Sequence, residues 1–156
     1  MIEVQIVSEL ADLTEAGKLI RKSFAYKPAG KMPNLISTRI EHLIEIEKIK
    51  YLINLTETPK YYATVTDNNK LIGFAVLSES TLQHLYDLTW VCIDPEYRNQ
   101  GIGKKLVAKA IEFCKEKDRN IVITTEQTKF YTDLGFTICN EFKPGWYLMS
   151  TTTMGK

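Results

Sequence analysis

Between Val91 and Lys105 the chain reads V-C-I-D-P-E-Y-R-N-Q-G-I-G-K-K, which is a strand end, a short loop and a helix start. Gly101 and Gly103 carry no side chains, so a ligand can approach the backbone there closely. The first N–H groups of a helix lack internal acceptors, and the helix dipole adds partial positive charge to them. Together these features suit a pyrophosphate. Arg98 and Lys104 add charge at the edge. The same spacing also fits an ordinary glycine-containing strand–helix turn.

Two other phosphate motifs are excluded. A P-loop needs four residues between its first glycine and Gly-Lys-Ser/Thr, and Gly101-Ile102-Gly103-Lys104-Lys105 lacks them. A dinucleotide fingerprint needs a third glycine where this chain has Leu106. It would also need alternating strands and helices, whereas a hairpin precedes this strand.

The elements that position this stretch follow from periodicity. Residues 2–7 alternate as a short strand, and Leu10, Leu13, Leu19, Ile20 and Phe24 keep helical spacing despite Gly17. Pro28, Gly30 and Pro33 end that helix in a loop over 26–34 that carries Lys27 and Lys31. A second helix is expected over about 35–55, with apolar positions Ile36, Ile40, Leu43, Ile44, Ile46, Ile49 and Ile53, most of which recur at 3–4 residue spacing and give one buried stripe. Residues 61–66 and 71–77 form a hairpin around Asp67-Asn68-Asn69-Lys70. A strand over 85–93 precedes the glycine loop. The next helix buries Ile102, Leu106, Ala110 and Phe113 or Cys114. Then come a strand over 120–125, a short helix over 126–134 closed by Gly135, and two strands, 136–142 and 146–151, around Pro144-Gly145. The expectation is a single α/β (α+β) domain over 1–156, with about seven strands in one mixed sheet and about four helices packed on it.

Composition narrows the partners. The 20 Lys+Arg against 19 Asp+Glu leave a formal charge of +1, so no bulk field argues for nucleic acid or an anionic membrane. No apolar run approaches the ~20 residues of a membrane span, and the first residues lack a cationic start followed by an apolar core. Cys92, Cys114 and Cys139 show no CxxC spacing, which argues against a disulfide framework and a zinc site. They are read as buried thiols in a reducing cytoplasm. Asn54-Leu55-Thr56 matches a glycosylation sequon and is read as chance.

Ile93-Asp-Pro-Glu-Tyr-Arg-Asn-Gln-Gly-Ile-Gly resembles the acyl-CoA signature of the GNAT acyltransferase superfamily, Arg/Gln-x-x-Gly-x-Gly/Ala, with Arg98, Gly101 and Gly103 as the matching positions. Phe130-Tyr131-Thr-Asp-Leu-Gly135-Phe136 resembles that family's second motif, and the element order agrees with its fold over nearly the whole chain. The resemblance implies a cytoplasmic N-acetyltransferase that uses acetyl-CoA as cosubstrate and a primary amine as acceptor. A homodimer is compatible with it. The pyrophosphate would rest on the backbone of Arg98, Asn99, Gln100, Gly101, Ile102, Gly103 and Lys104. The pantetheine arm would run along Val91, Cys92 and Ile93 like an added strand. The acyl carbonyl would then meet a main-chain N–H near the strand's middle.

Acyl transfer to an amine needs a base, because an alkylamine with a pKa near about 10.4 is mostly ammonium at neutral pH. It also needs an oxyanion donor and a proton for the departing thiolate. Tyr131 stands where similar proteins place the tyrosine that supplies this proton; packing of the short helix is its alternative role. For the base, Asp87 lies where similar enzymes often carry an acidic residue. In a regular strand it shares a face with Thr89, Val91 and Ile93, and a bulge would change that. Glu126, expected to open the short helix, is a second candidate. His84 and His42 read as a loop residue and a helix residue, and a chain of waters is an alternative base. Many members carry an asparagine and an alanine where this chain has Thr124 and Gln127, a departure from the pattern in which the Thr124 hydroxyl would still be able to hydrogen-bond the coenzyme. Cys92 lacks a His/Asp constellation and reads as a packed strand residue. The acceptor would enter between the 26–34 loop and the last hairpin, where Tyr26, Trp146 and Tyr147 can form an apolar or cation-binding wall. The rival reading is a GNAT-fold module that binds acyl-CoA without catalysis.

Overall fold

The computed structural model describes residues 1–10, 13–25, 60–79 and 85–151. The 26–34 loop with Tyr26, the helix expected over 35–55, the sequon, His42 and His84 all lie outside these residues. The described elements are β1 (Ile2–Val7), α1 (Leu13–Ala25), β2 (Lys60–Asp67), β3 (Lys70–Glu79), β4 (Leu85–Ile93), a 3-10 turn (Pro95–Tyr97), α2 (Ile102–Glu116), β5 (Asn120–Thr125), α3 (Thr128–Thr132), β6 (Phe136–Lys143) and β7 (Trp146–Thr151).

All seven strands join one sheet in the order β1-β2-β3-β4-β5-β7-β6. Every neighbouring pair is antiparallel except β4 and β5, which run parallel. Three of the expected helices are among the described residues. None of the described helices is long and apolar enough to cross a membrane.

The sheet is covered on both faces. On one, Ala16, Leu19 and Ile20 of α1 pack on Tyr62, Phe74, Val76 and Cys92. On the other, Ile102, Leu106, Val107, Ala110 and Cys114 of α2 pack on Ala63, Val65, Ala75, Leu77, Leu88 and Ile121. This explains the unbroken apolar run at the centre of β3. Phe74 and Val76 serve the α1 face while Ala75 and Leu77 serve the α2 face, so alternation has no polar side to show. Each such large side chain contributes about 1.5–3 kcal/mol by leaving water.

Turn chemistry closes the hairpins. Asn68 and Asn69 have φ of 51° and 71°, the left-handed pair that a two-residue hairpin prefers. Gly145, at φ 82° behind Pro144, occupies the position of a Pro-Gly turn that needs positive φ.

Candidate active site

β4 and β5 pair only through Leu85–Asn120, Tyr86–Ile121 and Asp87–Val122, and no further β4–β5 pair follows among the described residues. Beyond Asp87 the two strands part. β4 stays bonded to β3 on its far side, and β5 to β7. Among the described residues no strand pairs with that edge of β4 beyond Asp87, and such an edge suits an added extended segment. The resulting cleft, of about 920 Å³, is walled by the stretch from Leu88 to Ile93, by 123–127, and by the start of α2.

The cause of the parting lies in β4 itself. Phe74 pairs with Cys92 but Val76 pairs with Thr89, so β4 carries one extra residue. Trp90 absorbs it at φ 55°, a conformation that bulky L-residues rarely adopt. The bulge reverses the strand's parity. Before it, Tyr86 and Leu88 face α2; after it, Val91 and Ile93 do, and Cys92 packs on the α1 side. The regular-strand expectation that Asp87 shares a face with Val91 and Ile93 is therefore corrected. Asp87 sits opposite Ser78 on the α1 side and is not among the residues that wall the cleft. Burial raises its carboxyl above the ordinary carboxylate value.

At the end of β4, Asp94 is buried. Its Oδ1 accepts the Glu96 N–H at 3.0 Å and caps the turn that Pro95 opens. The chain then passes Asn99 at φ 64° and reaches Gly101 at φ 76° and ψ 8°. Gly101 is the N-cap of α2, with no side-chain cap, and the first turn of α2 contains no acidic residue. Its left-handed backbone followed by helical Ile102 turns successive N–H groups into one concavity suited to an anion. The two glycines differ in kind. A Cβ on Gly101 would meet nothing within 4 Å, so glycine is needed there for its backbone angle. A Cβ on Gly103 would stand 3.6 Å from Phe130 and 3.8 Å from Ile93, ordinary contact distances.

Of the residues expected to hold the coenzyme, Val91, Cys92, Ile93, Arg98, Asn99, Gly101, Ile102, Gly103, Lys104 and Thr124 all wall the cleft, and Gln100 does not. Lys104 also stands 3.9 Å from the exposed Asp133. Tyr131 and Glu126, two of the expected catalytic residues, meet at the same cleft. The Tyr131 ring packs edge-on between Phe130 (4.8 Å) and Phe136 (5.3 Å). Burial pushes its phenol well above its ordinary value, so it is protonated at neutral pH. Glu126 does not open the short helix, as the spacing suggested. It stands in the bend before it, because the Thr125 hydroxyl accepts the Gln127 N–H at 2.9 Å and delays the helix to Thr128.

Cys92 is inert as expected, since burial pushes its thiol up to about 12. Cys114 is buried too, but Cys139 is exposed on edge strand β6, against the expectation of three buried thiols. Trp146 lines the cleft; Tyr147 does not. Lys143 Nζ already stands 5.4 Å above the Trp146 ring, so the protein's own cation occupies one face of that wall. Sequence reasoning passed over Asp94 and Trp90 and met Phe130 only as part of the Tyr131 motif. Asp-Pro at a strand end is a readable cap signal for the first. The bulge at Trp90 depends on pairing with β3 and leaves no local signal.

The family model of the acetyltransferase (GNAT) domain matches residues 58–138, just over half the chain. A peptidyl-lysine N-acetyltransferase of Salmonella typhimurium is 34% identical over 85 residues, which are 54% of this chain and 54% of that protein. A chloroplastic GCN5-related N-acetyltransferase of Arabidopsis thaliana is 36% identical over 85 residues, 50% of this chain and 32% of that protein. The chain thus spans about half or less of the length of these curated relatives. PaiA N-acetyltransferase of Thermoplasma acidophilum, solved in complex with coenzyme A, matches with a TM-score of 0.68 at 19% identity, covering 96% of this chain and 98% of that one. At that identity the solved structure speaks for the fold and the domain match for kinship: the chain belongs to the GNAT acetyltransferase family.

Proposed function

We propose that this chain is an N-acetyltransferase that moves an acetyl group from acetyl-CoA to a primary amine by direct attack. The observation that carries the reading is the cleft between the parted strands. It joins an uncapped helix start, open strand edges and a buried phenol in one space.

Bound acetyl-CoA supplies the thioester. The N–H groups from Arg98 to Lys104 hold its pyrophosphate, and Arg98 and Lys104 screen its charge. The main chain of Val91–Ile93 bonds the pantetheine arm as an added strand. Thr124 faces it from β5. A main-chain N–H near the β4 bulge receives the carbonyl oxygen as negative charge develops there.

The amine nitrogen attacks the carbonyl carbon and forms the C–N bond. A carboxylate takes the amine's proton. Glu126, at the cleft wall, is the nearer candidate; Asp87, off the wall, acts only through an intervening water. The C–S bond then breaks, its electron pair stays on sulfur, and Tyr131 protonates the thiolate. The three free cysteines fit a reducing cytoplasm.

The test is free-thiol release from acetyl-CoA across an amine panel, with product mass confirming an added acetyl group. The panel includes peptidyl lysine, the acceptor class in the name of the Salmonella relative. Acetyl-CoA binding without turnover on any amine would move the chain to the non-catalytic, acyl-CoA-binding reading.

A further inference from the structure

Lys22 of α1 and Asp94 at the end of β4 stand far apart in the chain, yet Lys22 Nζ donates to Asp94 Oδ2 at 3.2 Å. The Asp94 side chain is 4% exposed and that of Lys22 is 40% exposed. Asp94 is thus a carboxylate brought out of water, and Lys22 is a countercharge delivered to it from the other layer of the fold. Both oxygens are engaged, because Oδ1 accepts the Glu96 N–H. The Asp94 N–H donates to the Ile72 carbonyl at 2.7 Å, which locks the residue to β3. A second anchor follows at once: the Tyr97 hydroxyl donates to Asp67 Oδ2 at 2.8 Å. The turn that leads into Arg98 is held at both ends.

We infer that Lys22 and Asp94 are positioning residues for the donor's pyrophosphate. Lys22 fixes and neutralises the carboxylate that shapes the turn before the pyrophosphate loop. The inference rests on the proposed acetyl-CoA reading and extends it to a pair that touches no reacting atom. The pair does two things. It sets the direction in which the chain leaves β4, and donors aimed at a phosphate must be held to within about 0.5 Å. It also cancels a negative charge on the segment that must receive an anion. Buried charge is poorly screened, so an uncompensated Asp94 would repel the pyrophosphate. Lys22 also lies 3.8 Å from Glu96, but that carboxylate is 75% exposed and contributes little.

The charge argument separates this role from simple bracing. Lys22→Met should raise the acetyl-CoA dissociation constant about tenfold, the scale of one uncompensated unit charge acting through space on a bound anion. The value of kcat should stay within about twofold of the parent, and Lys22→Arg should bind as the parent does. Adding Asp94→Asn to Lys22→Met removes the stranded charge and keeps an acceptor for the Glu96 N–H. The double variant should therefore bind acetyl-CoA more tightly than Lys22→Met alone. S-acetylpantetheine has no pyrophosphate, so its KM should be the same in all variants.

Calorimetry with acetyl-CoA, paired with KM for both donors and with melting curves, decides the matter. Equal acetyl-CoA affinity in folded Lys22→Met and parent overturns the inference. So does an equal loss for the two donors, or a double variant weaker than the single. A parent that binds no acetyl-CoA is a different failure, that of the proposed function, and the inference falls with it. Should Lys22→Met unfold, Lys22→Gln carries the same comparison.

Discussion

Asp87 and Val122 are the last residues to join β4 to β5. Asp87 therefore sits at the root of the cleft, on the face turned toward α1, with a carboxyl that burial raises. A group whose folded pKa exceeds its unfolded value favours the folded state while protonated. That contribution is present below the unfolded pKa and is lost as pH rises through the folded one. Asp87→Asn should therefore match the parent below about pH 4 and melt higher than the parent at pH 7. Melting curves of both proteins across that range provide the check. A variant that loses stability relative to the parent as pH rises would show that the carboxylate makes a favourable ionised contact instead.

If Glu126 is the base, Glu126→Gln should lower kcat by about 10²–10⁴-fold, while Asp87→Asn changes kcat little. The reverse ranking would assign the base to Asp87 acting through water.

The two glycines of the loop should respond oppositely. Gly103 has a helical neighbourhood and room for a Cβ at contact distance from Phe130 and Ile93. Gly103→Ala should keep acetyl-CoA affinity and leave stability unchanged or raised by up to about 1 kcal/mol, the helix preference of Ala over Gly. Gly101 at φ 76° should lose about 1–2 kcal/mol on conversion to Ala, with a weaker donor complex. Gly101→Asn, which tolerates the left-handed region better, should recover part of both losses. Calorimetry and thermal melts measure the pair. Equal behaviour of the two alanine variants would mean that the backbone angle at 101 is not what the glycine provides.

Much of this was legible where the signal is local. The alternation of residues 2–7, the Asn68-Asn69 and Pro144-Gly145 turns and the four-residue spacing Ile102-Leu106-Ala110-Cys114 each name their element. The glycine loop and the Phe130-Tyr131 motif pointed to residues that the structure brings to one cleft. What escaped depends on distant partners. Asp87 changed face because β4 carries an extra residue relative to β3. Cys139 is exposed because β7 lies between β5 and β6 and leaves β6 at the sheet edge. No window of sequence contains those pairings.

The three thiols should separate cleanly under alkylation. Burial pushes Cys92 and Cys114 to about 12, so neither offers appreciable thiolate at neutral pH. Cys139 is exposed, with its Sγ 3.3 Å from Ser150 Oγ. Iodoacetamide on the native protein at pH 7.5 should add one label, found at Cys139 by peptide mass spectrometry. Cys139→Ser should keep full turnover. Labelling of Cys92 before unfolding would mean that the bulged part of β4 opens.

Tyr131→Phe isolates the proton donor. The ring's edge-on contacts with Phe130 and Phe136 survive the change, and no protein group among the described residues hydrogen-bonds the hydroxyl. Removing the oxygen should thus leave the melting temperature unchanged or slightly higher, since a buried polar atom is lost without stranding a partner. Acetyl-CoA affinity should also hold. If the phenol protonates the departing thiolate, kcat should fall by about 10²–10⁴-fold, with KM for the donor little changed. The loss should shrink for a thioester whose thiol is more acidic, because such a leaving group needs the proton less. Rapid-quench measurement of the acetylated amine in the first turnover separates chemistry from product release. A first turnover as fast in the phenylalanine variant as in the parent would leave Tyr131 as a packing residue and thiolate departing through water.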